Sequence, residues 1–344
     1  VPEFEGGPLS FPREWSLEAG QSGTAQVLVV DDDPHVSALV VDTLSETGYR
    51  AFAACSAKEA LAQMRATPFA LVLCDVHLRD ADGLALARSL TETRPSVPVV
   101  LFTGNGHRDQ HRDVNPTGYL DTLLKPFSPE ALPSVIERNL KRIQADRERL
   151  LSDDRRVLVE PLRGCAAAID MRNALMLGHS ERVAHLSGQI GGALGLDSSE
   201  AALLQLAAAL HDIGKIVVPD TVLDKRSPLT EEDWSLIRQH PVVGARIVGK
   251  VRELAYVADA VRHHHERYDG SGYPDNLAGE SIPLLARVIA VADAVDAMTG
   301  CRPYRRRMNM AEALLELRRC EGTQFDPLIV RAAERALGGE DQPS

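Results

Sequence analysis

Seven of the eleven histidines in this 344-residue chain fall between His179 and His265. They include His211 followed by Asp212, an isolated His240, and the run His263-His264-His265. A packed or solvated imidazole explains any one of them, but not the whole set within one short stretch. Neighbours on a helix point about 100° apart, so a His-Asp pair can serve two metals side by side if the carboxylate bridges them. Lys215 lies three residues after Asp212 and four after His211, on the same helical face. There it could neutralise a phosphate bound to the metals. Paired metals of this kind can orient water in line with a phosphodiester, with no covalent nucleophile.

A second constellation lies near the start of the chain. Asp31, Asp32 and Asp33 follow one apolar run, and Asp75 follows another. Carboxylates that converge with retained waters suit Mg²⁺, and a lone aspartate at a strand end can accept a phosphoryl group. Lys125 could pair with the phosphoryl oxygens, while the Thr103 hydroxyl responds to the new charge. Acidic strand ends are common one at a time. Five such residues in this order are a strong signal.

These groups need elements to position them. Val27–Val30, Ala70–Cys74, Val97–Thr103 and Leu120–Leu124 read as buried strands. Helical stretches at Pro34–Thr47 and Ala57–Met64 separate the earlier ones, the first stopped by Gly48. The alternation predicts an α/β doubly wound parallel sheet of five strands, with ligands beyond the carboxyl ends of the strands. Asp31, Asp32, Asp75, Thr103 and Lys125 all fall there. From 129 to 172 the sequence is charged and helix-prone, with Pro133 and Pro161 as interruptions and a loose apolar stripe. It reads either as a solvated linker helix or as a parallel coiled-coil-like contact in a dimer. Beyond residue 173 the pattern is helical. Glu181–Leu196, Ser199–Leu210, Glu231–Arg238, Val242–Lys250, Leu254–His265, Leu284–Met298 and Met310–Arg319 are the main candidates, forming an all-α bundle that can hold a metal site.

The domains expected are an α/β unit at 25–139, a helical linker at 140–172 and a helical domain at 173–337. Residues 1–24 read as a tail, disordered or added for expression, and 338–344 as a second disordered tail. A formal charge of −11 disfavours direct DNA binding, which needs a basic excess. Nothing approaches the roughly 18 apolar residues of a membrane span, so a cytoplasmic protein is expected. The five scattered cysteines, without CxxC spacing, read as reduced thiols.

The first region resembles the response-regulator receiver family through Val29-Val30-Asp31-Asp32-Asp33-Pro34, Cys74-Asp75, Asp82-Gly83, Thr103 and Lys125-Pro126-Phe127. The resemblance implies a flavodoxin-like fold, Asp75 as phospho-acceptor, Asp31 and Asp32 as holders of Mg²⁺, and Thr103 and Lys125 as sensors of the phosphoryl group. It implies a cognate sensor histidine kinase as partner. One departure is Thr122, which stands where the family usually carries an aromatic switch residue. Tyr119 is nearby but out of register.

The second region resembles the HD-GYP phosphodiesterases. The motif residues are Gly178-His179-Ser180-Glu181-Arg182-Val183, His211-Asp212-Ile213-Gly214-Lys215, His240-Pro241, His264-His265-Glu266, Asp269-Gly270-Ser271-Gly272-Tyr273-Pro274, Asp293 and Arg302-Pro303-Tyr304-Arg305. The resemblance assigns His179, His211, Asp212 and Asp293 to one metal. Asp212 would bridge to a second metal held by His240, His264 and His265. Five imidazoles with two carboxylates favour transition metals, and the family implies iron or manganese. Leu175 replaces the glutamate that binds a third metal in some members, so a binuclear centre is expected. Leu175-Met176 also replaces the Tyr-Thr pair common before the first histidine. Asp212 and Lys215 would be catalytic. Lys215, Tyr273, Arg302 and Arg305 would contact the ligand, since guanidinium groups fork onto phosphate or a guanine edge. His263 reads as a neighbour of the ligands and His185 as exposed. Asp296 reads either as a partner behind a ligand or as a surface carboxylate.

The implied activity is hydrolysis of cyclic di-GMP either to linear pGpG or onward to GMP, regulated at Asp75. A homodimer and contacts with a diguanylate cyclase or another signalling protein are the further partners expected. Two other readings stand beside it: a non-catalytic sensor of the dinucleotide acting through protein contacts, and a hydrolase of a related adenine-containing cyclic dinucleotide.

Overall fold

The computed structural model describes residues 25–103, 120–150, 156–172, 176–225, 227–300 and 306–338. The two expected tails, apart from Gly338, lie outside the described residues, as do Tyr119, Leu175, Arg302 and Arg305.

Five parallel strands form one sheet: β1 Gln26–Val30, β2 Arg50–Ala54, β3 Leu71–Asp75, β4 Val99–Thr103 and β5 Leu120–Leu124, in spatial order 2-1-3-4-5. β1, β3 and β4 are continuous apolar runs because helices cover both faces of the sheet. Leu28, Val30, Val72 and Leu101 face one core, with Leu86 and Leu90. Val27, Val29, Leu73 and Phe102 face the other, with Leu44, Leu132 and Ile136. Burial of each such side chain contributes about 1.5–3 kcal/mol. β4 starts at Val99 rather than Val97; Pro98, just before it, has no N–H for a ladder.

The helices of this unit start at side-chain caps, which satisfy otherwise orphaned N–H groups. Asp33 caps α1 (Pro34–Glu46), Ser56 caps α2 (Ala57–Ala66) and Asp82 caps α3 (Gly83–Thr93). The helix α4 (Leu132–Leu150) begins in the sheet's core and continues out of it. Pro133 interrupts nothing, because a first-turn proline lacks only an N–H that has no helical acceptor. Pro161 lies inside α5 (Arg156–Asp170). In the outer part of α4, Asp146 is buried and pairs with Arg252 of the helical domain at 3.2 Å, a contact that neither reading of this stretch includes.

The remaining helices are α6 (His179–Ala193), α7 (Ser198–Leu210), α8 (Asp220–Leu223), α9 (Glu231–Ile237), α10 (His240–Val248), α11 (Ala255–His263), α12 (Leu284–Thr299), α13 (Met310–Arg319) and α14 (Pro327–Leu337). All of these but α8 and α9 pack around Ile190, Leu203, Leu204, Val257, Val261, Val288 and Val291. None of the described helices is long and apolar enough to cross a membrane.

Candidate metal centre and phospho-acceptor site

Four elements bring the histidines together. His179 opens α6, His211 and Asp212 follow α7, His240 opens α10, and His264 and His265 follow the end of α11. Asp293 projects from α12. His179, His211 and Asp293 present ligand atoms within 4.8 Å of one another, as do His240, His264 and His265. Asp212 lies between the two groups. Its Oδ2 is 3.7 Å from His179 Nε2 and 3.4 Å from His211 Nε2, and its Oδ1 is 3.2 Å from His240 Nε2.

The ring nitrogens point to a cation. His211, His240 and His264 each place Nδ1 2.7 Å from a backbone carbonyl, those of Ala208, Ile237 and Val261. A carbonyl oxygen only accepts, so each Nδ1 carries a proton and each ring turns its Nε2 inward. The Nε2 atoms of His240 and His264 face each other at 3.2 Å. Two lone pairs in a buried site repel unless something positive lies between them. His179 Nε2 and Asp212 Oδ1 are likewise buried without a hydrogen-bond partner. The donor set therefore fits two divalent cations, with the outer nitrogens fixed as metal-binding imidazoles require.

Protonation follows the same geometry. Burial, together with neighbouring imidazoles, holds His264 and His265 well below the usual histidine range, leaving them neutral. Burial also opposes charge on His211, but the Asp212 carboxylate outweighs it and pushes this imidazole up to about 9. Asp212 resists the raising effect of burial because Lys215 and His211 hold it well below the carboxylate range. Lys215 Nζ lies 2.5 Å from Asp212 Oδ2.

Asp296 stands behind His179 rather than on the surface. It is buried, accepts from His179 Nδ1 at 2.7 Å and is forked by Arg182 at 2.6 and 3.0 Å. Its spacing of three from Asp293 on α12 was the available signal. His185 is exposed. His263 turns away from the cluster; its Nδ1 lies 2.8 Å from Asp259 O and its Nε2 3.0 Å from Asp275 Oδ2. Neither Asp259 nor Asp275 was singled out in the sequence.

Tyr273 stacks beside His265 with ring centroids 5.0 Å apart, and its N–H donates to His265 O. A cavity of about 350 Å³ opens beside His265 and Asp293, lined also by Arg267, Glu316, Gln324 and Phe325. That volume suits a small ligand or one part of a larger one.

In the sheet domain, ligand oxygens of Asp31, Asp32 and Asp75 lie within 4.8 Å of one another beyond the strand ends. Lys125 Nζ reaches Asp31 Oδ2 at 3.1 Å and Asp75 Oδ2 at 2.9 Å. Burial lowers its tendency to hold a proton, but the hydrogen bonds it donates to Asp75 and Asp31 win and hold it above the ordinary lysine value. Thr103 is buried at the end of β4, and its carbonyl accepts from Lys125 N at 2.7 Å. Thr122 lies in mid-strand opposite Leu101. Phe102 supplies an aromatic face instead, with Lys125 Nζ 5.7 Å from its centroid. The cysteines described are free, and burial pushes the Cys74 thiol up to about 12.

Comparison with known proteins divides the chain at similar places. Residues 27–137 match the response regulator receiver domain and residues 163–329 the HD domain. The cyclic di-GMP phosphodiesterase response regulator RpfG of Xanthomonas campestris pv. campestris is 36% identical over 301 residues, covering 83% of this chain and 80% of that protein. A cyclic di-GMP phosphodiesterase of Thermotoga maritima is 29% identical over 328 residues, 89% of either chain. The 3'3'-cGAMP-specific phosphodiesterase 3 of Vibrio cholerae is 36% identical over 169 residues, covering 49% of this chain and 37% of that protein.

Proposed function

The chain belongs to the family of response regulators that join a receiver domain to a cyclic di-GMP phosphodiesterase of the HD type, and we propose that it hydrolyses cyclic di-GMP under the control of phosphorylation at Asp75. The observation that carries this reading is the pair of buried Nε2 atoms of His240 and His264 facing each other beside Asp212.

His179, His211, Asp212 and Asp293 would hold one divalent cation, and His240, His264 and His265 a second, with Asp212 shared. The imidazole-rich set favours transition metals, and the family resemblance implies iron or manganese. Bound there, two such ions supply Lewis acidity to a phosphodiester and to the water that attacks it. The remaining work falls to the chain. The carbonyls of Ala208, Ile237 and Val261, with Asp296, lock the rings in one tautomer and one direction. Near-complete burial of His179, His211, His240 and His264 excludes bulk water, so fixed charges act at low dielectric. Lys215 swings from Asp212 to a phosphate oxygen and stabilises charge growing there. Tyr273 holds the dinucleotide over the cluster. Arg302 and Arg305, just after α12, would fork its phosphate or guanine edge. The first product is linear pGpG, with GMP following a second cut.

On the control side, Asp31, Asp32 and Asp75 would hold Mg²⁺, a sensor histidine kinase supplies the phosphoryl group, and Lys125 and Thr103 engage it. A second copy of the chain, a diguanylate cyclase and a cytoplasmic setting complete the expected context.

The Vibrio relative named for 3'3'-cGAMP gives the substrate question a second answer. Purified full chain, loaded anaerobically with iron or manganese, should be assayed against cyclic di-GMP and 3'3'-cGAMP in parallel. The reading expects kcat/KM to favour cyclic di-GMP by at least about tenfold. A preference for 3'3'-cGAMP would replace the substrate, and filled metal sites without turnover of either would make the chain a sensor.

A further inference from the structure

The loop between α3 and β4 reaches out of the receiver and into the helical domain. Arg94, buried at the end of α3, donates from Nη1 to Ser281 O at 2.8 Å. Ser96 Oγ donates to Asp259 Oδ2 on α11. Asp259 is 4% exposed, so its carboxylate depends on protein donors rather than water. Its main-chain oxygen accepts from His263 Nδ1, with Oδ1 3.3 Å from the same nitrogen.

His263 passes the contact on. Its Nε2 meets Asp275 Oδ2, and Arg262 forks the same carboxylate at 2.6 and 2.9 Å. The Asp275 N–H donates to Glu266 Oε1 at 2.6 Å. Asp275 stands two residues after Tyr273, and His263 directly precedes His264 and His265. The last turn of α11 is thus held between the metal cluster on one side and a carboxylate that begins in the receiver's grip on the other.

The receiver end of this chain of contacts is tied to Asp75. Gly83, the first residue of α3, donates its N–H to Val76 O, and a Cβ there would fall 1.8 Å from Asp75 O. The helix start is pressed onto the backbone of the phospho-acceptor. Eleven residues later, about 16 Å along a rigid element, comes Arg94. β4 returns from the same loop to Phe102 and Thr103, and Phe102 O accepts from Val76 N. Both supports of the loop are therefore anchored beside Asp75, where phosphorylation adds about −1.5 to −2 charges.

We propose that Ser96 and Arg94 are positioning residues for the segment 273–281, Ser96 acting through Asp259, His263 and Asp275 and Arg94 through Ser281. The proposal rests on the phosphodiesterase reading for its effect on turnover, but not for its structural content. Moving the loop moves Asp259, which re-aims His263 and Asp275 and so the segment that carries Tyr273. No ligand to either metal is exchanged.

The test compares full-length wild type with Ser96→Ala, Arg94→Ala and Ser96→Thr, the last keeping a hydroxyl. Amide hydrogen exchange across residues 270–281, kcat, KM and bound metal are measured in each. Ser96→Ala and Arg94→Ala should speed exchange in that segment and lower kcat between about tenfold and a hundredfold, as expected of a small misplacement near the reacting groups. KM should change less, metal content should stay at the wild-type value, and Ser96→Thr should restore both readouts. Beryllofluoride, added as a phosphoryl mimic, should alter exchange at 270–281 in wild type and leave Ser96→Ala unresponsive. Wild-type exchange rates at 270–281 in both alanine variants overturn the proposal. If wild type shows no turnover yet the variants exchange faster, the positioning stands and the phosphodiesterase reading fails.

Discussion

His263, His264 and His265 are chemically identical, yet the fold gives them different tasks because successive side chains leave the chain in different directions. His264 and His265 turn to the metal cluster, and His263 turns to Asp259 and Asp275. The same orientation logic yields a test at His211. Its proton is held up to about 9 by Asp212 against the effect of burial. A raised value in the folded state stabilises the metal-free chain fully below the unfolded value of about 6.5, and that contribution is lost as pH rises through about 9. Metal must displace this proton, because Nε2 is the nitrogen facing the cluster. Calorimetry of metal uptake in buffers of differing ionisation enthalpy should show proton release from His211 at pH 7.5 that vanishes above about pH 10. Proton release independent of pH across that range would count against His211 as a ligand. The cluster was legible in the sequence because metal donors are few in kind. Asp296 was half legible, from its place one turn after Asp293. Asp259 was not, because its importance comes from Ser96, 163 residues away.

At the level of elements, the strands of the receiver were readable because burial on both faces leaves continuous apolar runs. The 3-10 turn Ile213–Val217 was not, since no periodicity marks it. That turn nevertheless joins the two halves of the metal centre by lying against the start of α10. A Cβ on Gly214 would fall 1.9 Å from His240 O and 2.5 Å from Gly244 N. Both are backbone atoms and cannot swing aside. Gly214→Ala should therefore force α10 away from Asp212, destabilising the protein by about 3 kcal/mol and weakening metal retention. Urea unfolding read at constant m-value measures the first, and metal analysis after dialysis the second. A loss within about 0.5 kcal/mol, with metal retained, would show that the contact yields easily. The helix α4 teaches a related lesson. Its apolar stripe suggests a solvated linker or a contact with a second chain, and neither reading foresees that Asp146 finds Arg252 within the same molecule. A buried ion pair between distant segments leaves no local pattern to read.

For the whole molecule, the two domains meet where each has chemistry to transmit. The receiver presents Asp75 at one end of α3 and Arg94 at the other, and the helical domain presents Ser281 and Asp259 beside the segment that carries Tyr273. Domain identity was plain from motif order, whereas their junction depends on side chains that look unremarkable in sequence. Against a net charge of −11, Lys215 beside Asp212 offers a local positive charge to an anionic ligand. All of this depends on the cluster holding two metals through one shared carboxylate. The most direct measurement is metal analysis joined to a product assay on anaerobically prepared full chain, wild type beside Asp212→Ala. The account predicts two iron or manganese ions per chain with conversion of cyclic di-GMP to pGpG in wild type. In Asp212→Ala both metals should be depleted and turnover should fall by at least about a thousandfold. Wild-type turnover in Asp212→Ala, or two bound metals in wild type with no cleavage, would contradict it.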